Sequence, residues 1–159
     1  MIAVKDKSSL NGFFGSDRRQ HLISALKSQG IIQNEKLAKE FARRVRLEEV
    51  PSHTTIMTKG SSDHDLIFIL SGEFLVTVGG QTIARRMAGD HVGEMTVIDP
   101  KTVRSATVIA ARDSVIARIS EPKFSSIADR FPLVWRRIAQ KLAERLRETP
   151  PVCATQAGV

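Results

Sequence analysis

The spacing of apolar residues changes twice along the chain. After Ser16 or Asp17, either of which can cap a helix start, Leu22, Ala25 and Leu26 fall on one face of a helix running to about Gln29, with Gly30 as its stop. A second helix follows Asn34 and carries Leu37, Ala38 and Phe41. From Val45 the period becomes that of a strand: Val45 and Leu47 alternate with charges, Pro51 to His53 turns the chain, and Ile56 with Met57 forms the next strand. Gly60 to Asp65 is a polar loop. Leu66 to Leu70 is a buried strand, Ser71-Gly72 turns it into Phe74 to Val78, and Gly79-Gly80 makes a hairpin to Gln81 to Met87. Ser105 to Ala110 and Val115 to Ile119 form a last pair about Ala111 to Asp113.

The period then returns to helical. Ser120 caps a helix to about Arg130, and Pro132 opens a longer one ending near Glu148, with Val134, Trp135, Ile138, Leu142 and Leu146 as its apolar stripe and Arg136, Arg137, Lys141 and Arg145 on the other faces. Many short, evenly spaced strands predict an α+β fold, an eight-stranded β jelly-roll barrel with N-terminal and C-terminal helices packed beside it. The expected division is a flexible arm over 1–15, one domain over 16–148, and a linker or truncated tail over 149–159.

Composition narrows the class. The chain has 159 residues, 42% of them hydrophobic, enough for one domain with its own core. No apolar run is long enough to span a membrane and no export signal is read at the start, so a cytoplasmic protein without a membrane partner is expected. One cysteine, Cys153, allows no internal disulfide. The net charge of +7 raises nucleic acid as a partner, but the basic residues are spread over every predicted helix and there is no aromatic platform, with one Trp and no Tyr. Charge on solvated helix faces is the expectation, and no nucleic-acid partner.

Candidate chemistry gathers between His91 and Val108, in HVGEMTVIDPKTVRSATV. Gly93 lacks a Cβ and lets a phosphate approach the backbone, the residues after it open a short helix with unpartnered N–H groups, and Arg104 can fork onto two phosphate oxygens. Ser105 adds a hydroxyl. The acid between them, Glu94, needs a donor of its own, and a ribose hydroxyl supplies one. Phosphate on the arginine and sugar on the glutamate describe one nucleotide.

Gly93-Glu94, a short apolar helix, and Arg104-Ser105-Ala106-Thr107 resemble the phosphate-binding cassette of cyclic nucleotide-binding domains, the family of the bacterial catabolite activator and the kinase regulatory subunits. Gly60, Asp65 leading LIFILSGEF with Gly72 at its turn, Gly89-Asp90 and the helix start SEPKF extend the resemblance from about Val45 to Leu146. It implies a jelly roll, a 3′,5′-cyclic mononucleotide as ligand with no other cofactor, no catalytic residue and no metal, and a ligand set of Val92, Gly93, Glu94, Met95, Thr96, Arg104, Ser105 and Ala106. Val92, Thr96 and Val103 depart from the family's usual aromatic, small apolar and proline residues without removing a ligand-contacting group. The two N-terminal helices and the ending PLVWRRIAQKLAERLRE look like the sensor halves of bacterial Toll/interleukin-receptor (TIR) effectors, antiphage proteins in which a cyclic pyrimidine nucleotide switches on destruction of NAD. That resemblance implies cUMP or cCMP as ligand and a C-terminal effector domain as partner, while the resemblance to the cyclic nucleotide-binding fold implies a last helix that closes over the ligand or pairs with its copy in a homodimer or higher oligomer.

Other readings stay open. A cAMP- or cGMP-responsive regulatory domain fits the same cassette, as does a truncated DNA-binding regulator. His53, His64 and His91 raise the metal-dependent cupins, which share the jelly roll; cupins place two histidines one residue apart, and no such pair exists here.

Overall fold

A computed structural model describes residues 12–148 of the chain. The expected tail, with Cys153, lies outside the described residues, as do the first eleven residues of the expected arm. Residues 12–14 form a helical turn that places Phe13 in the core, its ring edge-on to His21 with centroids 4.5 Å apart.

Helices α1 (Arg18–Lys27) and α2 (Glu35–Ala42) come first. Asp17 precedes α1 but makes no side-chain cap, and α1 ends at Ser28, before Gly30. Gln29 is drawn off the helix by tertiary contact, its Nε2 donating to the Ile69 carbonyl at 2.9 Å. Asn34 caps α2 as its type predicts, accepting from the Leu37 amide at 3.0 Å.

Eight strands follow: β1 (Arg46–Val50), β2 (Thr55–Met57), β3 (Leu66–Ser71), β4 (Glu73–Val78), β5 (Gln81–Met87), β6 (His91–Val92), β7 (Thr107–Ala110) and β8 (Ser114–Ile119). They make two four-stranded sheets, ordered β1-β8-β3-β6 and β2-β7-β4-β5. Between the sheets lies a barrel core of Val50, Met57, Ile67, Ile69, Phe74, Val92, Val108, Ala110 and Ile116. The first sheet is covered on its other face too: Leu66, Phe68, Leu70, Val115, Ala117 and Ile119 pack with the helices. Burial on both faces explains why β3 and β8 read as nearly continuous apolar runs. The second sheet is open outside, where Ile83 and Met87 of β5 are exposed.

A short helix α3 (Glu94–Ile98) interrupts the strands, and α4 (Glu121–Arg130) and α5 (Leu133–Glu148) close the structure. Phe68, Phe41, Phe124 and Trp135 form a ring-to-ring chain with centroids 5.5, 5.7 and 5.5 Å apart. It ties β3, α2, α4 and the first turn of α5 into one core. The expected α5 stripe is buried at Val134 and Ile138, but Leu146 is 78% exposed. At about 100° per residue, Leu146 lies about 80° from Ile138, whereas Arg145 lies only about 20° from it. Arg145, assigned to a solvated face by its charge, therefore points inward.

Candidate functional site

Gly93 starts the site. It precedes α3 with φ +91°, in the left-handed region, and a Cβ there would stand 2.7 Å from Arg104 Nη1 and 2.7 Å from the Asp65 carbonyl. The close approach that the sequence suggested is thus made by the protein's own arginine.

Arg104 sits in the loop before β7, which begins at Thr107 and not at Ser105 as expected. Its amide donates to the Ser61 carbonyl and its carbonyl accepts from the Gly60 amide, both at 2.8 Å, so the polar loop after β2 holds it in place. Only 2% exposed, it is among the largest fully buried side chains. Nε and Nη2 donate to Asp63 Oδ2 at 3.1 and 2.7 Å, Nη2 also to the Asp65 carbonyl at 2.7 Å, and Nη1 to Thr96 Oγ1 at 2.7 Å and the Gly93 carbonyl at 3.3 Å. All five guanidinium N–H groups therefore have protein acceptors. The hydrogen bond from Arg104 is the main cause that holds the Asp63 carboxyl below its ordinary pKa.

Glu94 opens α3 and is buried, yet its carboxyl stays below the ordinary value. Burial alone would raise it; the charges of His91 and Arg145, its own amide and the Arg145 hydrogen bond outweigh that. Arg145 Nη1 donates to Glu94 Oε1 at 2.6 Å and Nη2 to the His91 carbonyl at 2.7 Å, fastening the last turn of α5 to the start of α3. His91 is no surface histidine: it lies in β6 opposite Phe68, on the helix side of its sheet, and burial pushes its pKa down to about 4. Among the described residues no cluster of three His, Cys, Asp or Glu is placed to hold a metal ion.

Gly93, Glu94, Thr96, Arg104 and Arg145 line one cavity of about 100 Å³, partly open to solvent. All eight residues of the expected ligand set, Val92, Gly93, Glu94, Met95, Thr96, Arg104, Ser105 and Ala106, line it. Their roles differ. Thr96 is buried between Arg104 and the Gly93 carbonyl and positions the arginine, whereas Ser105 lies exposed at the rim, its hydroxyl turned to Met95 Sδ at 3.7 Å. Sequence reasoning missed the apolar wall of Met57, Val76 and Val108, and two arginines, Arg86 and Arg145. The signal for Arg145 was its seven-residue spacing from Ile138; Arg86 had none, because the neighbouring apolar residues Ile83 and Met87 point the other way.

The sequence that builds this cavity, with its buried arginine and buried acid, matches a known family. The model of that family, described as the cyclic nucleotide-binding domain, matches residues 47–131. The chain belongs to this family. Among curated relatives it is 39% identical over 137 residues to the Pycsar effector protein XpPycTIR of Xanthomonas perforans, covering 86% of this chain and 45% of that protein. It is 36% identical over 140 residues to the Pycsar effector protein PaPycTIR of Pseudomonas aeruginosa, covering 87% and 46%. The chain thus spans less than half the length of these relatives. A solved cyclic nucleotide-binding domain from Methylobacillus flagellatus has the same fold, with a TM-score of 0.68, 22% identity, and coverage of 87% of this chain and 90% of that one. The jelly roll of this domain family, with helices at both ends, is the fold expected from the sequence. No helix among the described residues is long and apolar enough to cross a membrane.

Proposed function

We propose that this domain is a sensor for a 3′,5′-cyclic mononucleotide, with cUMP or cCMP as its ligand, and that it governs a TIR-type effector that destroys NAD. The observation that carries the reading is the convergence of Arg104, Ser105 and Glu94 on one cavity. A cyclic phosphate meets Ser105 and the positive field of Arg104, and the ribose hydroxyl donates to Glu94. Because Arg104 is fully partnered, phosphate oxygens act as additional or exchanged acceptors, with the half-exposed Asp63 the natural one to yield. The Pycsar effector relatives support the cyclic pyrimidine and the effector. No catalytic role is assigned to these residues.

Calorimetric titration with cUMP, cCMP, cGMP and cAMP, repeated on Ser105→Ala and Arg104→Lys, tests the ligand. Binding of a pyrimidine nucleotide, weakened in both variants, is the expected result. Preference for cAMP or cGMP would replace the pyrimidine assignment, and no binding by the folded protein would overturn the sensor. Joining the domain to the remainder of the Xanthomonas perforans relative tests the output: NAD should disappear only when the cyclic pyrimidine is present.

A further inference from the structure

Arg86 stands on the inner face of the barrel wall. In the register of β5 with β4 it opposes Phe74, a fully buried core residue, and opposed residues of an antiparallel pair share a face. An arginine therefore occupies a position where a barrel ordinarily places an apolar side chain, while Ile83 and Met87 face solvent. Among the described residues its one hydrogen bond is Nη1 to the Arg85 carbonyl at 3.1 Å, so most of its five donors are uncommitted. Desolvation lowers its pKa, with the Arg145 charge acting in the same direction and Asp90, Glu94 and Glu148 opposing.

Arg86 lines the same cavity as Arg104, Ser105 and Glu94, and that shared cavity gives it a role. This step rests on the cyclic-nucleotide reading proposed above. With the phosphate at Arg104 and Ser105 and the ribose at Glu94, the base is left to the remaining lining of the same cavity, where Arg86 stands within the field of Glu94 and Arg145. Arg145 is there as well, but it is engaged with Glu94 and the His91 carbonyl. Arg86 is the side chain on that wall with donors to spare.

We infer that Arg86 reads the base, selecting nucleobases that present carbonyl oxygens over adenine. A guanidinium offers donors only. Uracil offers two carbonyl oxygens, cytosine a carbonyl beside a ring nitrogen, and guanine a carbonyl beside N7, whereas adenine has no carbonyl and sets an amino donor beside its ring nitrogens. Adenine would turn N–H toward N–H in a partly desolvated site.

The test compares cUMP, cCMP, cGMP and cAMP binding to the wild type, Arg86→Ala and Arg86→Lys, with melting temperature as the check on folding. The wild type should bind its best carbonyl-bearing nucleotide at least about tenfold tighter than cAMP, the lower range of one good side-chain–base pair. Arg86→Ala should remove most of that ratio by weakening the carbonyl-bearing ligand while leaving cAMP within about threefold, and Arg86→Lys should restore part of it. Equal loss for all four nucleotides would mean that Arg86 contacts phosphate or sugar, and would overturn the inference, as would no change or a wild-type preference for cAMP. Should folded wild type bind none of the four, the sensor reading itself falls, and this one with it. A variant that fails to fold is replaced by Arg86→Met, which keeps much of the side-chain length without a donor and must show the same selective loss.

Discussion

Arg145 Nη1 lies 2.6 Å from Glu94 Oε1, and both side chains are almost closed to solvent, at 13% and 9% exposure. The pair joins the last turn of α5 to Glu94, so under the proposed function an event at the ribose would reach the helix. A ligand shifts that helix only by the difference in its affinity for two arrangements, and a hydroxyl competing for the Glu94 carboxylate is such a difference.

Replacing Arg145 by Met should cost about 2 kcal/mol in chemical denaturation, because it strands a buried carboxylate. The Glu94 carboxyl should then titrate higher, having lost the Arg145 charge and hydrogen bond, which carbon-detected NMR can follow. In a double-mutant cycle with Glu94→Gln the two changes should fall short of additivity by about 1–3 kcal/mol.

Arg104→Ala should be the more damaging change. It takes the guanidinium donor away from Thr96 Oγ1 and from the Gly93 and Asp65 carbonyls, and removes the ion-pair partner of Asp63. A loss of about 3 kcal/mol or more is expected. Lysine keeps the charge but not the five-donor fork, so Arg104→Lys should fall between, with a measurable unfolding midpoint.

How much of this was legible in the sequence depends on which force decided each position. The barrel and its flanking helices followed from apolar spacing, since burial is set by the same faces that periodicity displays. Gly93, Glu94, Arg104 and Ser105 were legible as chemistry, and the structure brings them to one cavity. What the sequence hid were contacts between distant elements. The alternation in QTIARRM alone would send Arg86 to solvent; the register with Phe74 turns it inward. Two acceptors of Arg104, the Asp63 carboxylate and the Asp65 carbonyl, come from a loop about forty residues upstream, beyond any local signal.

Gly93→Ala should cost more than Gly60→Ala, although both glycines have positive φ, +91° and +86°. At Gly60 an added Cβ meets nothing within 4 Å, so only the backbone penalty of about 1 kcal/mol applies. At Gly93 the same methyl meets Arg104 and the Asp65 carbonyl, and urea midpoints should show a further loss of about 1–2 kcal/mol, with weakened nucleotide binding.

Acid should destabilise the domain before Asp63 and Glu94 take up protons. Folded His91 takes a proton only near pH 4, whereas the unfolded chain takes it near 6.5. Through that interval the unfolded state binds a proton that the folded state refuses, so stability present above pH 6.5 is lost as pH falls, by about 3 kcal/mol at most. His91→Gln should flatten the profile in this window. Asp63 and Glu94, whose carboxyls are held low, add losses only at lower pH, as it falls through their depressed values.

The chain of rings from Phe68 to Trp135 grips only the near end of α5. Beyond Ile138 the helix buries no residue fully, and its far end rests on the barrel through the Arg145 contacts while Leu146 stands in solvent. The helix is a lever with a greasy fulcrum and a polar catch. Under the proposed sensor function, a ligand that moved the catch would turn α5 about the fulcrum, and by geometry alone the tip would travel furthest while the aromatic grip held the near end in place.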